Sequence, residues 1–359
     1  MDRMPAFNML LEYLSWLVQG DQNRPCRQQS TWSEIIALAH EYRVPSTLAC
    51  ALECTADAGR VPREVIKFLT TILDGRRLRN AHVRKAAIEV GRILNEIGIA
   101  PVVMQGGAHI LTGLYRDPGA RQISDLDLLV PASRIDECRE ALRSHKFNPL
   151  SQYSHPRAHD TPLLGRKDLS VPIELHHQVL SFPYWNFLTP DEMYRTAAPL
   201  ELSGTVLSVP SPMNAAIHNI AHAHMNDRDH LYGRLDLRGL LDLALLTKAH
   251  GDSIDWNDLE RRFTSAGWRN ALMYHLHWAR RLGAEIPMQK RMSGMSNLLC
   301  RRAEYHVRKP HVLDRSFRML RPFVLLRREL SDRDLRWRLT SNLWQREWWK
   351  RHLRMLRGA

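Results

Sequence analysis

The sequence predicts an α+β protein in which a small mixed β-sheet core is flanked by N- and C-terminal helical regions. Three observations carry this. Residues 1–97 repeat apolar side chains at helical spacing. Residues 98–208 break into short apolar runs separated by turn residues. Residues 209–300 return to the helical period. A last stretch, 301–359, reads as a basic amphipathic helical tail.

The first helix spans residues 5–18, with Phe7, Leu10, Leu11, Leu14, Leu17 and Val18 on its apolar face, and Asn23-Arg24-Pro25 breaks it. Thr31-Trp32-Ser33-Glu34 opens a second, and Val44-Pro45 starts a third that runs to about Asp57. A long helix from about Pro62 to Glu96 follows. Its expected inner face is Val65, Phe68, Leu69, Ile72, Leu73, Ala87, Ile88, Val90, Ile93 and Leu94. This N-terminal region carries no chemistry of its own and is expected to pack on the sheet and wall its cleft. From Ile99 the pattern changes. Val102, Val103 and Met104 suit a short buried strand, Gly106 and Gly107 lead into a helical turn, and Asp117-Pro118-Gly119 stops it. Ser124 to Val130 reads as a second strand, Pro131 begins a helix to about Ser144, and Phe147 to Leu150 suggests another strand. Thr161–Arg166 and Leu169–Gln178 read as a hairpin joined at Lys167-Asp168. Ser211 is an N-cap with Pro212 at the first helical position of a helix to about Asn226, and further helices are expected at 255–265 and 267–283.

Composition narrows the class. With 44% apolar and 25% charged residues among 359, the chain has the makeup of a globular protein of two or three domains. No run approaches the ~18 apolar residues of a membrane span. The N-terminal apolar run is broken by Glu12 and lacks a basic leader, which argues against a secretory signal. Five scattered cysteines, an odd number, point to reduced thiols and a cytoplasmic location, and Cys50 and Cys54 share a helix face as core residues. The net charge is +13, but residues 301–359 hold 17 Lys and Arg against 6 Asp and Glu, an excess of 11. The charge question therefore concerns the tail. Its Arg residues alternate with Phe317, Phe323, Trp337, Trp344, Trp348 and Trp349. Amphipathic helices docked on the body are the first reading. Peripheral contact of 310–359 with an anionic membrane, at the inner membrane surface, is the second, and nucleic acid ranks behind it.

The chemistry concentrates between Val102 and Val130. Side chains alternate along a strand, so Asp125 and Asp127 share one face while Leu126, Leu128 and Val130 share the other. Two carboxylates about 4 Å apart repel by roughly 4 kcal/mol at an effective dielectric of about 20. A hard divalent cation with oxygen ligands, Mg²⁺ above all, answers that repulsion. Gly106-Gly107 at a helix start offers free backbone amides to a phosphate. Each motif alone is common in turns and caps; their order between apolar strands gives the combination its weight. Downstream, Glu174 in Val171-Pro172-Ile173-Glu174-Leu175-His176 is a third acidic position. His218 and His222 share a helix face, and His224, Asp227 and His230 lie near. Without His-Glu-x-x-His spacing these histidines suit a cleft wall better than a zinc site. Arg234, Arg238 and Asp242, four apart, are expected to form one polar stripe.

On these residues the chain resembles the polymerase-β-type nucleotidyltransferase superfamily, whose signature is Gly-Gly or Gly-Ser followed by Asp-x-Asp or Asp-x-Glu. Within it, the chain resembles the bacterial group of uncharacterised nucleotidyltransferases. Gly106, Tyr115, Asp117-Pro118-Gly119, Arg121, Asp125 to Val130 and Ile173-Glu174-Leu175-His176 carry the likeness, which runs from about Ser33 to about Trp268. Two departures stand out. Gln105 replaces the group's usual Lys, and the gap from Gly107 to Asp125 is longer than in compact superfamily members, though normal for the group. The resemblance implies an enzyme that uses Mg²⁺ (or Mn²⁺) to move a nucleoside monophosphate from an NTP donor to an acceptor hydroxyl or phosphate, releasing pyrophosphate. Asp125, Asp127 and Glu174 would be the catalytic metal ligands. Gly106 and Gly107 would hold phosphates, supported by Arg121 and Ser124. Arg234 and Arg238 would reach the triphosphate, and His176, His218 and His222 would line the cleft. The rivals are a non-catalytic, antitoxin-like binder of the same fold and a nucleic-acid enzyme of the poly(A) or CCA-adding kind. The three carboxylates count against the first, and the lack of an RNA-binding motif against the second.

Overall fold

The computed structural model describes residues 2–20, 30–53, 61–150, 161–287 and 292–310. Expectations for Asn23-Arg24-Pro25, for the third helix beyond Glu53, for Cys54 and for the tail from residue 311 fall outside these residues.

Helices α1 (Met4–Gln19), α2 (Trp32–Glu41) and α3 (Pro45–Glu53) form where the apolar period predicts them. Thr31 and Glu34 start α2 with a reciprocal capping box, each satisfying a backbone N–H of the other. The long helix α4 (Arg63–Glu96) follows. Its buried residues Leu69 and Leu73 join α1 to α3 and the C-terminal helices in one core. Val83, Ala86, Ala87, Val90, Ile93 and Leu94 enter a second core under the sheet. One helix thus serves both cores. Phe68 departs from expectation: it is 47% exposed, because it lies about 100° around the helix from the buried Leu69.

The sheet follows. Strand β1 (Val102–Val103) runs into α5 (Gln105–Leu111), and β2 (Leu126–Leu129) lies antiparallel to β1. Helix α6 (Ile135–Ser144) leads to β3 (Asn148–Pro149), β4 (Leu164–Arg166) and β5 (Leu169–His176). After α7 (Pro190–Thr196) come β6 (Ala198–Leu202) and β7 (Thr205–Val209). The order across the seven-stranded mixed sheet is β3-β4-β5-β2-β1-β7-β6. The β6–β7 hairpin is absent from the sequence reading. Its signal was the two-residue turn Ser203-Gly204 between alternating apolar residues. Both turn residues have positive φ, 52° and 76°, as the tight turn of a twisted hairpin requires.

Pairing decides the faces. β2 and β5 are parallel neighbours, with Leu126 beside Ile173, Asp127 beside Glu174, Leu128 beside Leu175 and Leu129 beside His176. Leu126, Leu128, Val130, Ile173 and Leu175 enter the core under α4 and α6. Asp127, Leu129, Glu174 and His176 alternate with them and lie on the other face, which α8 (Pro212–Ala221), α10 (Leu237–His250), α11 (Trp256–Ser265) and α12 (Arg269–Arg281) help to cover. Between α8 and α10 lies the short α9 (Asp229–Tyr232), and α13 (Gly294–Arg308) closes the described chain. Among the described residues, no helix is long and apolar enough to cross a membrane.

Candidate active site

The polar face of β2 and β5 gathers the acidic residues. Asp127 is buried and Glu174 half-buried, and the buried His176 completes a cluster whose ligand atoms all lie within 4.8 Å of one another. His176 Nε2 is 3.2 Å from Asp127 Oδ1 and 3.6 Å from Glu174 Oε2. Burial works against the Asp127 anion, but the His176 hydrogen bond and the positive charge of His176 and His222 outweigh it. The carboxyl is held below its usual range. The sequence placed Asp125 and Asp127 together on one strand; the strand begins only at Leu126. Asp125 sits at its mouth, half-buried, and accepts a hydrogen bond from Ser124 Oγ at 2.7 Å. Burial, then the charges of Asp127 and Glu174, push its carboxyl up. The tight cluster is therefore Asp127, Glu174 and His176, with Asp125 beside it. Two carboxylate oxygens suit a hard divalent cation such as Mg²⁺ or Mn²⁺, and the His176 nitrogen can join them only by giving up its proton.

His176 gives the site a pH signature. Burial alone would lower its pKa; hydrogen bonds to and charges of Asp127 and Glu174 outweigh burial and push it up to about 10. In the unfolded chain a histidine titrates near 6.5. The folded state thus keeps a proton that the unfolded state loses. This stabilisation is complete below about pH 6.5 and disappears as pH rises toward 10. In EDTA, the urea midpoint of the wild type is expected to fall more steeply across that interval than that of His176→Gln. Parallel pH profiles would show that the contact does not hold the proton.

The glycine turn lies directly beside this cluster, because the Met104 amide donates to the Asp127 carbonyl at 3.0 Å. Gln105 follows in a left-handed conformation, φ 51°. The open positions that Gly106 and Gly107 leave for lack of a Cβ face the protein interior rather than a ligand. A Cβ on Gly107 would lie 3.0 Å from both Leu126 Cδ1 and Val103 Cγ1. One on Gly106 would lie 3.2 Å from Ile123 Cγ1 and 3.4 Å from the Arg121 guanidinium. The diglycine lets α5 sit close on β1 and β2, which leaves its backbone amides, not its side-chain space, for a ligand. Gly107→Ala is expected to destabilise by about 1–3 kcal/mol through overpacking. The check is the urea midpoint at constant m-value, and no change would mean that α5 shifts outward without cost.

Arg121 is not aimed at solvent. It is buried and donates twice to Asp242 of α10, at 2.8 and 2.7 Å. Of the expected stripe, Arg238 and Asp242 keep their four-residue spacing on α10, but Arg234 falls outside it, in the break between α9, which ends at Tyr232, and α10, which begins at Leu237. Arg234 precedes α10 and lies over the Tyr232 ring at 4.8 Å, Arg238 is 3.4 Å from Asp236, and Asp242 turns into the core. The sequence reading also missed Arg79. From α4 it donates to the Ile123, Ser124 and Ser170 carbonyls at 3.2, 2.7 and 3.0 Å, clamping the approaches to β2 and β5. No local signal marks it, since these partners lie far along the chain.

Beside the turn, α5, α8 and α10 enclose a cavity of about 290 Å³, lined in part by Gln105, His109, His218, His222 and Asp236. His218 and His222 thus line the cavity, with ring centroids 5.8 Å apart. His222 begins a single π-turn, His222–Asn226, a distortion found often at functional sites. Its Nδ1 lies 3.2 Å from Asp227, whose charge and hydrogen bond outweigh burial and raise the His222 pKa. His224 turns the other way, into the core, with Nε2 3.0 Å from His275 Nδ1.

A mixed sheet that sets a glycine turn against a paired Asp and Glu, with helices over its polar face, defines a nucleotidyltransferase-type protein. The sequence pattern of the family described as uncharacterised nucleotidyltransferases matches residues 28–284, and the chain belongs to that family. Among solved structures, the chain is similar to an antigenic nucleotidyltransferase-like protein from Paracoccidioides brasiliensis. The two share 17% identity over 58% of this chain and 95% of that one, with a TM-score of 0.37. No curated protein matches the chain.

Proposed function

We propose that the protein transfers a nucleoside monophosphate from an NTP to an acceptor hydroxyl or phosphate. The acceptor oxygen bonds to the α-phosphorus, the bond from that phosphorus to the bridging oxygen breaks, and pyrophosphate leaves. The observation that carries this reading is the register of β2 with β5, which sets Asp127 beside Glu174 and next to the glycine turn. Asp127, Glu174 and His176, with Asp125 at the rim, are the residues that would hold Mg²⁺ or Mn²⁺. A bound divalent cation supplies charge neutralisation on the phosphates and lowers the pKa of an acceptor oxygen. The backbone amides of Gly106 and Gly107 hold phosphate oxygens. Glu174, with its side chain 20% exposed, takes the acceptor proton. Arg234, just before α10, and Arg238, on it, are the candidate triphosphate ligands from the C-terminal helices. The test is label transfer from each of the four α-labelled NTPs into a lysate acceptor pool, with Mg²⁺ and with Mn²⁺. Pyrophosphate release that tracks label transfer supports the reading; neither, with any NTP, refutes it.

The tail remains a separate proposal, resting on charge and aromatic content alone. Full-length protein is expected to float with anionic liposomes at moderate salt, and a chain lacking 310–359 is expected not to. Failure of the full-length protein to float removes membrane contact from the reading.

A further inference from the structure

Helix α10 belongs to the C-terminal helices, yet its Asp242 reaches the segment that follows the glycine turn. The residue is 3% exposed. Arg121 Nε donates to its Oδ1 at 2.8 Å and Nη2 to its Oδ2 at 2.7 Å. The Tyr115 hydroxyl donates to Oδ1 at 2.7 Å. His109, on α5 itself, brings Nε2 to 3.9 Å from Oδ2. Two parallel hydrogen bonds fix a guanidinium in both plane and rotation. Nη1 donates to the Gln122 carbonyl at 2.6 Å, and Asn80 of α4 donates to the Arg121 carbonyl at 2.8 Å. Arg121 thus has no freedom to move.

What it supports is the turn. The guanidinium lies so close to Gly106 that a Cβ there would stand 3.4 Å from Cζ and from Nη2. The residue before Gly106 is Gln105, at φ 51°. A long side chain in the left-handed region is uncommon and persists where its surroundings over-determine it. The buried arginine, held from α10, packs against Gly106, the residue that follows Gln105.

We propose that Asp242 is a positioning residue: through Arg121 it holds Gly106 and the left-handed Gln105 in place against Asp127. The mechanical part of this inference is independent of the reaction, while its consequence for donor binding rests on the transfer reading above. The C-terminal helices thereby set the geometry of a turn that belongs to the sheet.

Asp242→Asn keeps the shape and removes the charge. Amide exchange across residues 105–111 is expected to accelerate by about tenfold or more, with exchange across residues 126–130 unchanged. KM for the NTP should rise by about tenfold or more, while affinity for Mn²⁺ alone stays as in the wild type. Asp242→Asn leaves Arg121 buried without its counter-charge and can fail to fold. The double variant Arg121→Met/Asp242→Leu removes both charges together, which buried pairs commonly tolerate. It should fold and still show fast exchange across 105–111 and the raised KM. Unchanged exchange there in a variant that folds overturns the proposal, as does acceleration of 105–111 and 126–130 in parallel, the mark of general loosening. Wild-type protein that binds no NTP defeats the transfer reading instead, and the exchange measurement alone then decides the positioning role.

Discussion

Asp127→Asn is expected to abolish the rise in melting temperature that Mn²⁺ produces in the wild type and to reduce nucleotidyl transfer by about 10³-fold, or roughly 4 kcal/mol. Asp127 is the more buried and more constrained of the cluster's two carboxylates. It is buried, lies in register with Glu174, and its backbone carbonyl accepts from Met104 at the start of the glycine turn. Asn keeps the volume and one acceptor oxygen but removes the charge that a cation and the His176 contact both need. A ligand at one hundred times its Kd stabilises by about 2.7 kcal/mol, which for a chain of this size is a shift of about 4 °C. The measurement is thermal unfolding with and without Mn²⁺, which reads the site without any reaction. A shift in Asp127→Asn equal to that of the wild type would remove Asp127 from the metal site.

Glu174→Gln is expected to lower transfer by orders of magnitude, about 10²–10⁴-fold, while NTP affinity changes little. The reason is the charge balance of the cluster. Asp127 and His176 face each other at 3.2 Å and form a near-neutral pair, with Asp125 adding one negative charge at the rim. Glu174, 3.6 Å from His176, adds a further carboxylate to ground already crowded with charge. Binding a nucleotide does not need it; accepting a proton from the attacking oxygen does. The experiment is pyrophosphate release in a lysate of the source cells, wild type against Glu174→Gln, with NTP affinity measured in parallel. Equal release by both would eliminate Glu174 as a catalytic carboxylate. Altered affinity, together with no release by the wild type, would identify a nucleotide-binding member of the fold rather than an enzyme.

Local sequence determined the elements and the chemical types. Helical periodicity marked α1, α2 and α4 by their apolar spacing, whereas α3, buried nearly all round, was marked by its Val44-Pro45 start. Asp127 and Glu174 were legible because each sits in an apolar strand where a charge is conspicuous. The glycine turn was legible as a break between a buried strand and a helix. Tertiary structure alone decided which of these groups meet. Asp127 and His176 are 49 positions apart and come within hydrogen-bonding reach only through the parallel register of β2 with β5. Arg121 reads in sequence as a free cation near a phosphate loop. Its partner Asp242 lies 121 positions away and consumes its charge inside the protein. Arg234, Arg238 and Asp242 keep helical spacing in sequence, but the break between Tyr232 and Leu237 leaves Arg234 off the helix that carries the other two. The physical reason is common to these cases. A side chain's face follows from the period of its own strand or helix, which a short window contains. Its partner is set by sheet register and by the packing of helices remote in sequence, where burial selects which charges must be paired.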